Sequence, residues 1–365
     1  MTVDTEFMRE KTYWPELCLI QLAGDSEVVI IDAMAEGLDL APLRDLFACE
    51  TVTKVFHAAR QDIEIFVLRF GEAPLPMFDT QIAAMVAGFG DQVGYDSLVG
   101  GLTGATIDKV HRFSDWAARP LSDAQVAYAA ADVTHLREVY DRLCARLTAE
   151  GRLEWVTEEM AALTNPDQYR VDPETAWERL RPRGGNRRFL GLVKALAAWR
   201  EREAQRINIP RQRLLKDETL MEIAAIAPRN AEQLARARGV TRGFAEGRSG
   251  IALLEVVDQI RSLPEDDLPR PERKGEGGKP SPGLVSLLKV LLAAKCDDNH
   301  VAPKLVASSD DIDRLAVEDA PDIPALHGWR RSVFGDDALA LKAGRITLGV
   351  RGRRIELVPV GTGPR

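Results

Sequence analysis

The chain is poor in cysteine, histidine and aromatic residues, and it has no long apolar run. Its four cysteines, Cys18, Cys49, Cys144 and Cys296, lie far apart with no Cys-x-x-Cys pair. That excludes a disulfide framework or a thiolate zinc site and reads as reduced, mostly buried thiols in a cytoplasmic protein. The five histidines are scattered and give no metal-ligand cluster. No apolar stretch approaches the ~20 residues that a membrane-spanning helix needs, so no membrane partner is expected. Asp4, Glu6, Arg9 and Glu10 interrupt any signal-peptide pattern at the N-terminus. Nothing in the pattern calls for an organic cofactor.

What is present fits an ordinary globular protein, with 45% hydrophobic and 28% charged residues. At 365 residues the chain can build two or three domains, each with its own core. The formal net charge of −8 is unfavourable for a nucleic-acid partner, but its distribution is uneven. Between residues 181 and 216 lie eleven basic residues: Arg181, Arg183, Arg187, Arg188, Lys194, Arg200, Arg202, Arg206, Arg211, Arg213 and Lys216. Only Glu201 and Glu203 oppose them there. This stretch is a candidate phosphate-binding footprint, and a solvated helix face with salt bridges is the bland alternative. Phe189 and Trp199 lie within it, but their helical setting points to core packing before base stacking.

Strand-like and helix-like runs alternate at the start of the chain. Leu17–Leu22 and Val28–Ile31 read as strands split by the turn residues Gly24-Asp25-Ser26. Residues 40–49 have helical spacing, residues 52–56 read as a short strand, and 62–70 and 81–87 read as helices. Asp79-Thr80 suits a helix N-cap. Residues 122–149 read as one long helix opened by Ser122-Asp123. Prolines and paired glycines mark residues 164–186 as a connector, and residues 266–283 read as a linker. Each is followed by a helical module, and residues 345–360 can form a hairpin around Gly349 and Gly352. The organisation expected is therefore an α/β domain over 1–163 and helical units over 187–265 and 284–365.

The chemistry is carried by a few residues. Asp4 and Glu6 are two apart in a strand-like run, so both carboxylates project to one face. Tyr128 and Asp132 are four apart in a helix and also share a face. Asp62 opens the helical run that follows the strand ending at Phe56. Three elements can therefore aim four carboxylates at one point. Such a group does not stay ionised without cations, and hard divalent ions favour oxygen ligands. The pattern points to two-metal phosphoryl chemistry. Read singly, Asp62 can be a helix cap, Tyr128 a core aromatic and Asp132 a solvated helix residue. His57, at a strand end beside Asp62, reads as a hydrogen-bonding scaffold, and Arg9, Glu10 and Glu16 read as salt-bridge or surface residues.

These same residues carry a family resemblance. Val3-Asp4-Thr5-Glu6-Phe7, followed by Tyr13-Trp14-Pro15-Glu16-Leu17-Cys18-Leu19-Ile20-Gln21-Leu22, resembles the first exonuclease motif of ribonuclease D. His57-Ala58-Ala59-Arg60-Gln61-Asp62 resembles the second. Tyr128-Ala129-Ala130-Ala131-Asp132 resembles the third, in the tyrosine variant of the DEDD 3′–5′ exonucleases, and Trp116-Ala117-Ala118-Arg119-Pro120-Leu121 resembles the approach to it. The resemblance implies a ribonuclease-H-like exonuclease domain followed by two small, mainly α-helical HRDC-like domains, the second of them diverged. It implies two Mg²⁺ or Mn²⁺ ions held by Asp4, Glu6, Asp62 and Asp132, with Tyr128 orienting the attacking water. It also implies release of nucleoside 5′-monophosphates from the 3′ end of RNA, with transfer-RNA precursors as the expected substrates and a monomer as the expected state. Lys109, Arg119, Arg187, Arg188 and Arg200 are candidate RNA contacts, as is Arg112. A 3′–5′ DNA exonuclease would share the same five catalytic residues, and a non-catalytic RNA-binding protein is the alternative outside enzymes. In one respect the chain departs from the family. Only Met1-Thr2-Val3 precede Asp4, too little for a full central strand to form ahead of the carboxylates. The expectation is a start codon called too late or a clipped first strand.

Overall fold

The computed structural model describes residues 1–108, 110–111, 114–180, 182, 184–270 and 280–360. Lys109 and Arg112 lie outside the described residues, as do Arg181 and Arg183 of the basic stretch.

The N-terminal domain is built on a five-stranded mixed sheet of β1 (Thr2–Met8), β2 (Glu16–Ala23), β3 (Val28–Asp32), β4 (Lys54–Phe56) and β5 (Met77–Asp79), in the order β3-β2-β1-β4-β5. β1 and β2 pair antiparallel, as do β2 and β3, while β4 runs parallel to both β1 and β5. The early strands thus form a meander, and crossovers follow. Although only three residues precede Asp4, a strand of ordinary length forms. β1 is central and seven residues long, because its pairing with β2 continues beyond the carboxylates to Met8. Asp4 stands opposite Gln21 and Glu6 opposite Leu19, with a bulge just after Glu6.

The helices of this domain are α1 (Ala41–Phe47), α2 (Arg60–Phe70), α3 (Thr80–Val86), α4 (Tyr95–Thr103), α5 (Asp123–Thr134), α6 (Leu136–Ala149) and α7 (Leu153–Leu163). Asp79 caps α3 as expected, accepting from the amides of Gln81 and Ile82. Its carboxylate also accepts from the amides of Ala58 (3.1 Å) and Ala59 (2.8 Å), and so pins the turn that launches α2. At that turn Ala58 has φ +57°, an unfavourable angle for a residue with a Cβ. Ser122 and Gln125 form a capping box at the start of α5. The long helix expected over 122–149 is interrupted at His135. Thr2 Oγ1 donates to the Val133 carbonyl (2.8 Å) and the Tyr95 hydroxyl to the Ala131 carbonyl (3.2 Å). Inserted side chains of this kind disturb a helical ladder. α5 packs across β1, β2 and β3. Val3, Ile20, Phe56, Ile63 and Phe66 are fully buried in the main core.

The second unit holds α8 (Arg187–Ile207), α9 (Arg211–Leu214), α10 (Asp217–Ile226), α11 (Ala231–Leu234), α12 (Arg242–Glu246) and α13 (Arg248–Ser262). Asn186 caps the start of α8, and Asn208 (φ +52°) ends it. Trp199 is buried in this unit's core, as its helical setting suggested. The connector is divided between neighbours. Tyr169 is buried in the first core, and Ala176 in the second. Leu268 is also buried and lies against Gly191 of α8, so the expected linker begins as part of this unit.

The third unit opens with α14 (Pro282–Asp298), continues through α15 (Pro303–Val306) and α16 (Ser309–Val317), and ends in the expected hairpin, β6 (Ile346–Arg351) and β7 (Arg354–Pro359).

Both helical units are anchored to the first domain. Asn208 Oδ1 accepts from the amides of Tyr13 and Trp14 (3.1 Å each), and the Tyr13 hydroxyl donates to the fully buried Glu201 (2.5 Å). On the other side Trp155 stacks on Trp329 with centroids 4.5 Å apart. The buried Glu159 accepts from Trp329 Nε1 (3.0 Å) and from Arg330 (2.5 Å).

Candidate active site and metal centre

Strand β1 alternates faces, so Thr2, Asp4 and Glu6 project together while Val3 and Thr5 project oppositely. The face bearing the carboxylates is the one α5 covers. One oxygen each of Asp4, Glu6 and Asp132 lies within 4.8 Å of the others, and all three side chains are partly buried. This is the juxtaposition expected from the two spacings, brought about by packing one helix across one strand.

The electrostatics follow. Burial, then the charges of Asp62, Asp132 and Glu6, raise the Asp4 carboxyl well above its ordinary range. Glu6 is pushed up to about 8 by burial and by the charges of Asp132 and Asp62. Burial lifts Asp132 to about 7, against a hydrogen bond from Tyr128 that favours its ionised form. Tyr128 itself packs beside Trp116 and His111, with ring centroids 5.9 and 6.2 Å away.

Asp62 sits in the first turn of α2, three residues past the N-cap Ala59, and its carboxylate accepts from backbone amides of Asp62 and Thr5. It is buried, and it accepts from the Thr5 hydroxyl. Burial raises it to about 7 despite that bond. Its charge acts on both Asp4 and Glu6, but it is not one of the three carboxylates within 4.8 Å. The structure therefore converges three of the four proposed ligands and sets the fourth beside them, oriented by Thr5.

The donor set suits a hard divalent cation. It offers only carboxylate oxygens, and it is costly to ionise without a compensating positive charge. Gln21, opposite Asp4 in the register, is fully buried, and neither atom of its amide has a hydrogen-bond partner. Such an orphaned group beside a carboxylate cluster is a polar place built to receive something.

The supporting residues behave as scaffold. His57 Nδ1 is 3.0 Å from the Thr80 hydroxyl, and Arg9 forms a forked pair with Glu64 at 2.7 Å. Sequence reasoning passed over Thr2, Thr5, Gln21 and Tyr95. Gln21 alone left a signal, as a lone amide in the apolar run Cys18–Leu22.

The candidate RNA contacts fare differently. Arg200 is 2% exposed, pairs with Asp217 (2.8 Å) and donates to the Leu215 carbonyl (2.8 Å), so it holds the second unit together and is not available to RNA. Arg119 clamps Asp32 at 2.6 and 2.8 Å and reaches the Trp116 and Cys18 carbonyls. Arg188 donates to the carbonyls of Ile260 and Leu263, and Arg187 pairs with Asp266 (3.0 Å). These guanidinium groups serve as internal ties. An arginine fork satisfies several acceptors at once, and a count of charges along the chain does not reveal that use.

Comparison with known proteins agrees with this geometry. Residues 1–148 match a 3′–5′ exonuclease family, and residues 189–257 match the HRDC domain. The chain is 65% identical over 359 residues to ribonuclease D of Gluconacetobacter diazotrophicus, covering 98% of this chain and 91% of that one. It is 66% identical over 362 residues to ribonuclease D of Granulibacter bethesdensis, covering 99% and 92%. Its fold matches the crystal structure of Escherichia coli RNase D, described as an exoribonuclease involved in structured RNA processing. That match has a TM-score of 0.81 and 30% identity, and it covers 93% of this chain and 92% of that one.

Proposed function

The chain belongs to the ribonuclease D family, and from that premise we propose how its residues carry out the family's reaction. The protein is a 3′–5′ exoribonuclease with an α/β exonuclease domain, an HRDC domain and a mainly helical C-terminal region. The observation that carries the site assignment is the meeting of Asp4, Glu6 and Asp132 within 4.8 Å. With Asp62, these residues are the ligands for two Mg²⁺ or Mn²⁺ ions. When bound, such ions neutralise the carboxylates and favour attack of water on phosphorus.

The protein's own residues do the rest. Tyr128 contributes its phenol hydroxyl. Its hydrogen goes to Asp132, which leaves the phenol oxygen as an acceptor able to orient the attacking water. Thr5 fixes the Asp62 carboxylate by the hydrogen bond it donates. Attack on the terminal phosphodiester breaks its bond to the 3′ oxygen and frees a nucleoside 5′-monophosphate.

The substrate we propose is structured RNA with a short 3′ tail, transfer-RNA precursors above all. The acting unit we propose is the monomer. Residues 1–163 carry the catalysis, 187–265 form the HRDC domain, and 284–365 form a second, diverged HRDC-like unit. The proposed compartment is the cytoplasm. All four cysteines are free, and no helix among the described residues is long and apolar enough to cross a membrane.

The test is digestion of 5′-labelled and 3′-labelled RNA with Mg²⁺ or Mn²⁺, beside matched DNA. Stepwise shortening of the 5′-labelled RNA with release of mononucleotides is expected, with EDTA abolishing it. Degradation of DNA in preference to RNA would overturn the substrate assignment.

A further inference from the structure

Asp132 is flanked by two residues whose carbonyls are held from outside its helix. On one side the Tyr95 hydroxyl, at the start of α4, donates to the Ala131 carbonyl (3.2 Å). On the other the buried Thr2 hydroxyl donates to the Val133 carbonyl (2.8 Å); its contact with the Ala23 carbonyl is longer, at 3.5 Å. Thr2 shares the β1 face with Asp4 and Glu6 and stands two residues before Asp4. The strand carrying two of the carboxylates is therefore tied directly to the helix carrying the third, two residues from Asp4 and one from Asp132. Helix α5 ends at Thr134, just past the tethered carbonyls.

We infer that Thr2 and Tyr95 are positioning residues for the exonuclease reaction: their hydroxyls fix the last turn of α5 against β1 and α4 respectively, and so set the separation of Asp132 from Asp4 and Glu6 and the aim of Tyr128. The physical argument is one of tolerance. A carboxylate cluster serves a cation pair only while its oxygens keep their spacing, and supporting hydrogen bonds provide that precision. Neither hydroxyl belongs to the carboxylate cluster, so each can be removed without altering a ligand. Tyr95 also packs against His57, with centroids 5.5 Å apart, and this contact survives removal of the hydroxyl.

This inference rests on the exoribonuclease reading, and the test separates the two. Tyr95→Phe and Thr2→Val each delete one hydroxyl and keep the shape, while Thr2→Ser keeps the hydroxyl. kcat and KM are measured on a short 3′-tailed RNA, and Mn²⁺ affinity is measured by calorimetry without RNA. Tyr95→Phe and Thr2→Val are expected to lower kcat roughly tenfold, within the ~10²-fold that a 1 Å misplacement can cost. KM should stay near wild type, Mn²⁺ binding should weaken several-fold, and Thr2→Ser should restore both readouts. If both deletions leave kcat and Mn²⁺ affinity within twofold of wild type, the inference is overturned. It is equally overturned if Thr2→Ser is as impaired as Thr2→Val, because keeping the hydroxyl would then not keep the function. A wild-type protein inert on RNA would refute the exonuclease reading alone, and the Mn²⁺ measurement would still decide the role of the tethers.

Discussion

Asp132→Asn tests the electrostatics of the site most directly. Burial raises this carboxyl to about 7, against an ordinary 3.8. A group whose folded value is raised stabilises the fold below its unfolded value and loses that contribution as pH climbs through the folded value. Asp132 therefore favours the folded state fully below about pH 4 and ceases to do so above about pH 7. Each unit is worth ~1.4 kcal/mol, so the cost of carrying this charge at pH 8 without metal is roughly 4 kcal/mol. Asparagine cannot ionise, and it also relieves Glu6 and Asp4, whose ionisation the Asp132 charge opposes. A domain of this size shifts by about 2–4 °C per kcal/mol. In EDTA at pH 8 the variant should thus melt on the order of 10 °C above wild type, and at pH 4 the two should nearly coincide. Mn²⁺ at pH 8 should raise the melting temperature of wild type much more than that of the variant. Scanning fluorimetry at the two pH values, with and without Mn²⁺, reads all of this. Coincident melting curves at pH 8 in EDTA would refute the reasoning, since no cost of assembling the carboxylates would then exist.

Further expectations follow from named contacts. Asp62→Ala should abolish mononucleotide release while leaving the circular dichroism spectrum unchanged. Tyr128→Phe should retain measurable turnover, because a cation and not the phenol supplies the acidity; equal loss in both variants would give Tyr128 a larger part. Arg200→Ala should destabilise the protein by about 2 kcal/mol by orphaning the Leu215 carbonyl and breaking the Asp217 pair. RNA affinity, measured by filter binding where the variant is folded, should not change. Glu159→Ala leaves Arg330 partly buried and unpaired, and loss of one partner of such a pair costs about 3–5 kcal/mol. Chemical denaturation should detect that loss, and Arg330→Met added to it should recover part of the stability.

Much of the catalytic domain was legible in its residues, because local rules govern strands, caps and face-sharing pairs. The alternation at Val3-Asp4-Thr5-Glu6 and the four-residue step from Tyr128 to Asp132 set which side chains travel together, whatever the surroundings. The cap at Asp79 and the terminal hairpin are local in the same sense. The misreadings came from contacts between distant residues. The first strand looked too short because its length was counted ahead of Asp4, whereas pairing with β2 carries it on to Met8. The helix over 122–149 looked continuous because the hydroxyls that interrupt it belong to Thr2 and Tyr95, far away in the chain.

Arginine use shows the same division. Composition places eleven basic residues between 181 and 216, but whether a guanidinium faces solvent depends on which carbonyls and carboxylates the fold brings to it. Arg200 is buried on Asp217 and Arg188 spans two carbonyls. The residue types and their spacing determined the chemistry available to this protein: carboxylates in pairs and a phenol one helical turn from an acid. Only the tertiary structure decided that Asp4, Glu6 and Asp132 meet while Asp62 stands beside them, because that distance is set by packing a helix across a strand and by the hydrogen bonds that hold it there.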